Sequence, residues 1–245
     1  MAYKYGLIPD APHVADRLYH LAMSRLTSLP PQVDLSPWLG PVSNQGPYGS
    51  CTAFAITGLR EWWMNFQKQP FVPLSPAFLY DQERIQEGTF PADDGAQIRD
   101  GMAILTTQGC APESLWPYTA QDLVTAPSAV ADHAAASYKL GVAHRVSGLA
   151  DLRQALANGH PVVCGLILYP AFESPQVAQT GIVPMPQPGE QPLGGHAVLC
   201  IGYDDARHAL HYRNSWGAWG DRGDFWLPYA YAASALLMDA WTLIP

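Results

Sequence analysis

Two stretches of this sequence hold residues whose types and spacing could do chemistry. The first is Pro41–Phe54, PVSNQGPYGSCTAF, where a Gly/Pro-rich loop runs into a helical pattern that opens on Cys51. A thiol placed there meets free backbone N–H groups and the positive end of the helix dipole, both of which favour the thiolate. A nearby imidazolium would lower its pKa further. The plain alternative is a small buried apolar residue, the common fate of a cysteine. The second stretch is His196–Trp219, HAVLCIGYDDARHALHYRNSWGAW, with a histidine at the start of an apolar strand pattern and an Asn-Ser-Trp-Gly run after it. Imidazole titrates near neutrality and can take or return the proton that a thiol or an amine exchanges. Taken singly, Gln45 reads as a solvated loop side chain, Asn214 as a turn residue and Trp216 as core.

The remaining thiols read as packing residues. Cys110, Cys164 and Cys200 form no CxxC or CxxxC pair with one another or with Cys51. Cys200 follows His196 on the same strand face, but two ligands are too few for zinc. His208 and His211 flank a hairpin and read as surface residues, and Asp93–Asp94 as a solvated loop. No metal and no cofactor are expected. Reduced thiols and a first segment, MAYKYGLIPDAPHVADR, without an apolar signal core give a cytoplasmic expectation.

The elements that must position these residues change character along the chain. Residues 1–28 form an extension, weakly helical from about Val14 to Leu26, and Pro30–Pro31 closes it. Helices are predicted from Cys51 to about Phe66 with Ser50 as N-cap, over Pro76–Gln86, over Ile98–Gln108 before Gly109, and over Leu149–Asn158 before Gly159. Ala129–Tyr138 reads as a short helix or a linker. Short apolar strands are predicted at Pro161–Leu168, His196–Tyr203, Ala209–Arg213 and Gly223–Leu227, with a hairpin turn at Asp204–Arg207. The order gives an α+β class: a mainly helical half, about 45–128, and a mainly antiparallel half, about 129–245, with a cleft between.

Composition narrows the function classes. The chain has 245 residues, 48% of them hydrophobic, and a formal net charge of −8. It can bury a sizeable core, and it lacks the basic run that nucleic acid or an anionic membrane surface would attract. Its apolar stretches, Pro161–Phe172 and Tyr229–Met238, fall short of the ~20 residues a spanning helix needs.

Gln45-Gly46 ahead of Ser50-Cys51-Thr-Ala-Phe, then Gly195-His196-Ala-Val with Gly202-Tyr203, then Asn214-Ser215-Trp216-Gly217, resemble in order and spacing the papain family of cysteine peptidases. The N-terminal GLIPD, LPPQVDL, LSPAFLY and GCAPESLWPY segments resemble its bacterial branch. The resemblance runs from about Leu29 to the C-terminus. It implies a two-part papain-like fold and an endopeptidase in which Cys51 is the nucleophile, His196 the acid–base group and Asn214 its orienting partner. Gln45 and the Cys51 N–H would form the oxyanion hole, and Trp216 would shield the Asn–His bond. Gly95 would offer backbone bonds to an extended peptide, and Ala96, Gln97 and Ala197, with Ala171 or Leu236, would line the pocket beside it. Peptide or protein is the implied substrate, and residues 1–28 are expected to occlude the cleft as an intramolecular inhibitor, so that their deletion raises activity.

The sequence also departs from the family's pattern. Tyr48 stands where relatives often carry a cysteine, Thr52 where they carry a tryptophan, and Gly195 where many carry Asp or Asn; the paired glycines are reduced to Asp94–Gly95. Loss of the tryptophan at Thr52 is expected to reshape a subsite wall. Two other functions use the same residues or the same fold: acyl transfer to an amine through the same thioester, and a catalytically silent binding module.

Overall fold

A computed structural model describes residues 3–23 and 25–245. Its helices include α1 (Tyr19–Ala22), α2 (Cys51–Phe66), α3 (Pro76–Glu87), α4 (Ile98–Thr107), α5 (Ala129–Ala135) and α6 (Gly148–Ala157). The strands are β1 (Gln32–Asp34), β2 (Val142–Arg145), β3 (Val162–Leu168), β4 (Gly194–Asp204), β5 (Ala209–Arg213), β6 (Asp224–Pro228) and β7 (Leu237–Ile244). They form one sheet in the order β2-β7-β3-β4-β5-β6, with β1 added to β4, and every pairing is antiparallel. The α+β class, with a helical first half and an antiparallel second half, is what the sequence predicts. None of the described helices is long and apolar enough to cross a membrane.

Local chemistry explains the element ends. Pro76 opens α3, the Ser75 hydroxyl accepts the Phe78 N–H at 2.9 Å, and Gly88 closes it with φ 74°. Helix α2 packs on β4 and buries Ile56, Leu59 and Trp62 completely, and the Trp62 indole donates to the Leu35 carbonyl at 2.7 Å. Truncating a residue such as Leu59 to Ala would cost ~2–5 kcal/mol. Helix α2 therefore lies between the halves, with its N-terminal turn directed at β4. Ser50 does stand at the N-cap, but its side chain makes no capping bond; it meets the Tyr118 hydroxyl at 2.6 Å instead.

The extension differs from expectation. Of the helix predicted over Val14–Leu26, only Tyr19–Ala22 is helical, and Ser24 lies outside the described residues. Val14 and Leu21 are 97% and 77% exposed, so the apolar spacing has no face to bury. Asp16 folds back to accept the His13 N–H at 2.9 Å, and Leu18 is held extended by a bridge to Arg145. Three strands, β1, β2 and β7, carry no clear alternation in the sequence; β7 is broken by a buried acid, Asp239.

That acid belongs to a clasp on the extension. Arg145 pairs with Asp10, with Asp16 at 2.7 Å and with Asp239 at 3.5 Å; Arg99 pairs with Asp16 at 3.0 Å, and the Trp241 indole donates to Asp10 at 3.0 Å. Burial alone would raise Asp16, but the His13 N–H, Arg99 and Arg145 bring it below the usual carboxylate range. Burial, reinforced by Asp10, pushes Asp239 up to about 7. The contribution of Asp16 to stability is present above the ordinary carboxylate range and is lost as pH falls through its lowered pKa. That of Asp239 is full below the ordinary carboxylate range and is lost progressively as pH rises from there to about 7. Thermal melting should accordingly show greatest stability near about pH 4 and a fall from there to about pH 7, and Asp239→Asn should flatten that fall.

Candidate active site

The site forms where the first turn of α2 meets the start of β4. Cys51 is fully buried, and the backbone N–H groups of Ala197, Gly6 and Thr52 stand near enough to its sulfur to favour the thiolate. His196, also fully buried, bonds through Nε2 to Asn214 Oδ1 at 2.9 Å, while its Nδ1 has no partner among the described residues. Trp216 stacks on the imidazole, centroids 4.7 Å apart, and keeps water from the Asn–His bond. Asn214 sits beyond β5 in a stretch tied to the Ser43–Gln45 loop. There Gln45 N–H donates to Ser215 O at 2.9 Å and Gly217 N–H to Ser43 O at 2.9 Å.

Gln45 is held at three points. Its Oε1 accepts the Ser215 hydroxyl at 2.7 Å, so its amide nitrogen faces the cleft. That nitrogen donates to Tyr48 O at 2.8 Å and to the Lys4 carbonyl at 3.3 Å. Behind it, the Tyr118 hydroxyl donates to Gln45 O at 2.8 Å. Ser215 and Tyr118 are site residues that sequence reasoning did not single out.

The cleft is filled by the extension. The Tyr3 ring stacks on Trp216, centroids 4.0 Å apart and nearly parallel. The Lys4 ammonium reaches Asp93 at 2.7 Å, and the Tyr5 hydroxyl bonds to Glu173. Gly6 passes so close to Gly49 that a Cβ on it would collide with the Gly49 backbone. Leu7 bridges Ala96 in parallel: Ala96 N–H donates to Gly6 O at 2.8 Å and Ile8 N–H to Ala96 O at 2.9 Å. Leu7 N–H donates to Gly195 O at 3.1 Å.

The other expected residues separate. Gly95, at φ 86°, lies against the Gly6 backbone with no room for a Cβ, and its N–H donates to the Tyr80 hydroxyl at 3.1 Å. Gln97 caps α4, and its N–H goes to Glu87 at 2.8 Å. Ala197 touches the sulfur by its N–H. The Leu7 side chain lies against Gly165, where Ile98 also approaches, and Leu7 and Met238 both close on Gly195. A glycine inside the apolar run VVCGLIL was the available signal, since such a glycine marks close approach. Asp93 is not a solvated loop residue: it accepts the Gly49 N–H at 3.0 Å and the Tyr80 hydroxyl at 2.6 Å. Thr52 is fully buried and donates to Glu83 at 2.7 Å. Among the described residues, no three His, Cys, Asp or Glu gather as a metal site would require.

Electrostatically the pair is silenced. The helix start favours thiolate, yet burial pushes Cys51 up to about 11 against the pull of three N–H groups. Burial likewise lowers His196 to about 4 despite its bond to Asn214. With Gly6 over the sulfur, water cannot solvate the charges, and both groups stay neutral.

Residues 29–236 match the family described as "Papain family cysteine protease". The chain is 34% identical over 213 residues to an uncharacterized peptidase C1-like protein of Acanthamoeba polyphaga mimivirus, covering 82% of this chain and 68% of that one. It is 26% identical over 189 residues to cathepsin K of Mus musculus, covering 76% of this chain and 55% of the cathepsin, so it spans about half the length of that relative. Among solved structures, xylellain, a cysteine protease from Xylella fastidiosa, superposes with a TM-score of 0.90 at 35% identity, over 98% of this chain and 95% of that one. Procathepsin L2 of Tenebrio molitor shares the fold at TM-score 0.75 and 22% identity, over 99% of this chain and 78% of that one.

Displacing the segment should restore the ion pair. Gly6→Val cannot keep its contact with Gly49, whereas the clasp on Asp10 and Asp16 remains in place. Alkylation of Cys51 by iodoacetamide, followed against pH, should reach half its limiting rate several pH units lower in Gly6→Val than in the parent chain.

Proposed function

Because the chain belongs to the papain family of cysteine proteases, we propose that it hydrolyses peptide bonds through Cys51, His196 and Asn214. The observation that supports this reading is the Lys4 carbonyl, which accepts from the Gln45 amide at 3.3 Å, the contact an oxyanion donor would make. In the reaction, the Cys51 thiolate attacks the scissile carbonyl, and Gln45 Nε2 with the Cys51 N–H holds the oxyanion, at ~2.7–4 kcal/mol per donor. His196, kept in orientation by Asn214, passes its proton to the leaving amine. It then takes a proton from water as the water opens the thioester, releasing the acid and regenerating the pair.

Residues 3–8 act as the intramolecular inhibitor. The segment runs from Trp216 past Gln45 to the Gly95–Ala96 edge, parallel to that edge. The amine of its Lys4–Tyr5 bond leads toward Gly6, away from the Trp216 that stacks on His196. The imidazole therefore has no leaving group to protonate, and the segment blocks without being cut. Substrate takes the opposite direction on the same Gly95–Ala96 edge, with an aliphatic side chain in the place Leu7 fills.

An epoxide peptide probe should label Cys51 alone, and Cys51→Ala or His196→Ala should lose both labelling and hydrolysis of a small peptide substrate. Gln45→Ala should retain labelling but lose ~10²–10³-fold in kcat. Gly6→Val should hydrolyse the same substrate faster than the parent. Unchanged hydrolysis in Cys51→Ala would reject the mechanism, and an unchanged rate in Gly6→Val would reject the inhibitor role.

A further inference from the structure

A cavity of about 300 Å³ lies between α2 and the Leu39–Asn44 loop, and Ala197 and Asn214 share its lining. Leu39, Phe54, Phe71 and Leu74 give it an apolar wall. Two carboxyls, Glu61 and Glu113, stand in that wall. Each spends one oxygen on a backbone N–H: Glu61 accepts from Leu74 at 2.9 Å, Glu113 from Tyr118 at 2.8 Å. The second oxygen of Glu113 is buried and has no partner among the described residues. The guanidinium of Arg213, the cation in the lining, is engaged by Asp224 and by the Gly40 carbonyl. Burial, with Glu113 adding to it, pushes Glu61 up to about 7, and Glu113 is also raised. A buried carboxyl facing apolar space without a donor is costly, and an ammonium group would satisfy it.

A second observation concerns Gly58, in the middle of α2 and in the cavity lining. A mid-helix glycine costs stability relative to alanine, yet nothing presses on this one. A Cβ would meet only a Leu199 methyl at 3.8 Å. What the missing side chain leaves is volume in the cavity.

We propose that this cavity is a second ligand site, which takes a small primary ammonium with an aryl or alkyl body, its charge between Glu61 and Glu113 and its body against Phe54 and Leu74. The lining also holds Ser43, Asn44, Asn214 and Ser215, which belong to the ladder that ties the Gln45 loop to the Asn214 stretch. An occupant therefore presses on the backbone that fixes both the oxyanion donor and the partner of His196. The effect on catalysis rests on the hydrolase reading; the binding does not.

Calorimetry on the full chain with phenethylammonium, and with phenethyl alcohol as its neutral counterpart, tests the site without reference to activity. Saturable binding is expected for the amine and at least ~10-fold weaker binding for the alcohol, as for a hydrogen bond to a charged group. Glu61→Gln and Glu113→Gln should each weaken the amine by a similar factor, and Gly58→Leu should abolish binding by filling the cavity. Alkylation of Cys51 should leave binding intact. Melting curves of the three variants identify any that fails to fold, and the remaining ones decide. In Gly6→Val, where the cleft is open, the bound amine should change kcat more than KM. No saturable binding, equal binding of amine and alcohol, full binding to folded Gly58→Leu, or loss on Cys51 alkylation would overturn the site. Binding without any change in kcat would overturn the coupling alone.

Discussion

The candidate active site depends on one junction, the first turn of α2 set against the start of β4. The helix supplies a sulfur surrounded by N–H groups, and the strand supplies both the imidazole and the Ala197 N–H that touches the sulfur. Neither half contains the chemistry by itself. The junction is held by a buried helix with Leu59 and Trp62 on its inner face, and by a ladder from Ser43 to Gly217 that locks the Gln45 loop to the Asn214 stretch. Free thiols suffice here: all four cysteines are buried and unpaired, so packing and the ladder tie the halves together.

The same junction explains why the pair is neutral. A thiolate–imidazolium pair needs water or fixed dipoles to offset its desolvation. Three N–H groups face Cys51, but Gly6 excludes water, and the desolvation outweighs the dipoles. The segment lies along Ala96, and the groups beneath it are buried in their neutral forms.

How much was legible in the sequence follows from the range of the interactions. Helices α2, α3 and α4 announce themselves by apolar spacing and local stop signals, so their limits agree with expectation within a residue or so. Cys51, His196, Asn214 and Gln45 stand in a distinctive order, and the structure joins His196 to Asn214 and Gln45 to Ser215. Strands β1, β2 and β7 were not legible, because their identity comes from partners far along the chain and β7 buries an aspartate that only Arg145 and Asp10 explain. Ser215 and Tyr118 were missed for a related reason: a serine or tyrosine that braces a loop looks like any other until the loop is in place.

The clasp at Asp10 and Asp16 fixes the extension only a few residues from the stretch that enters the cleft. A tether that short holds residues 3–8 at an effective concentration in the millimolar range or above. Dilution cannot release them. Their departure from the cleft is thus a unimolecular event, independent of how much protein is present.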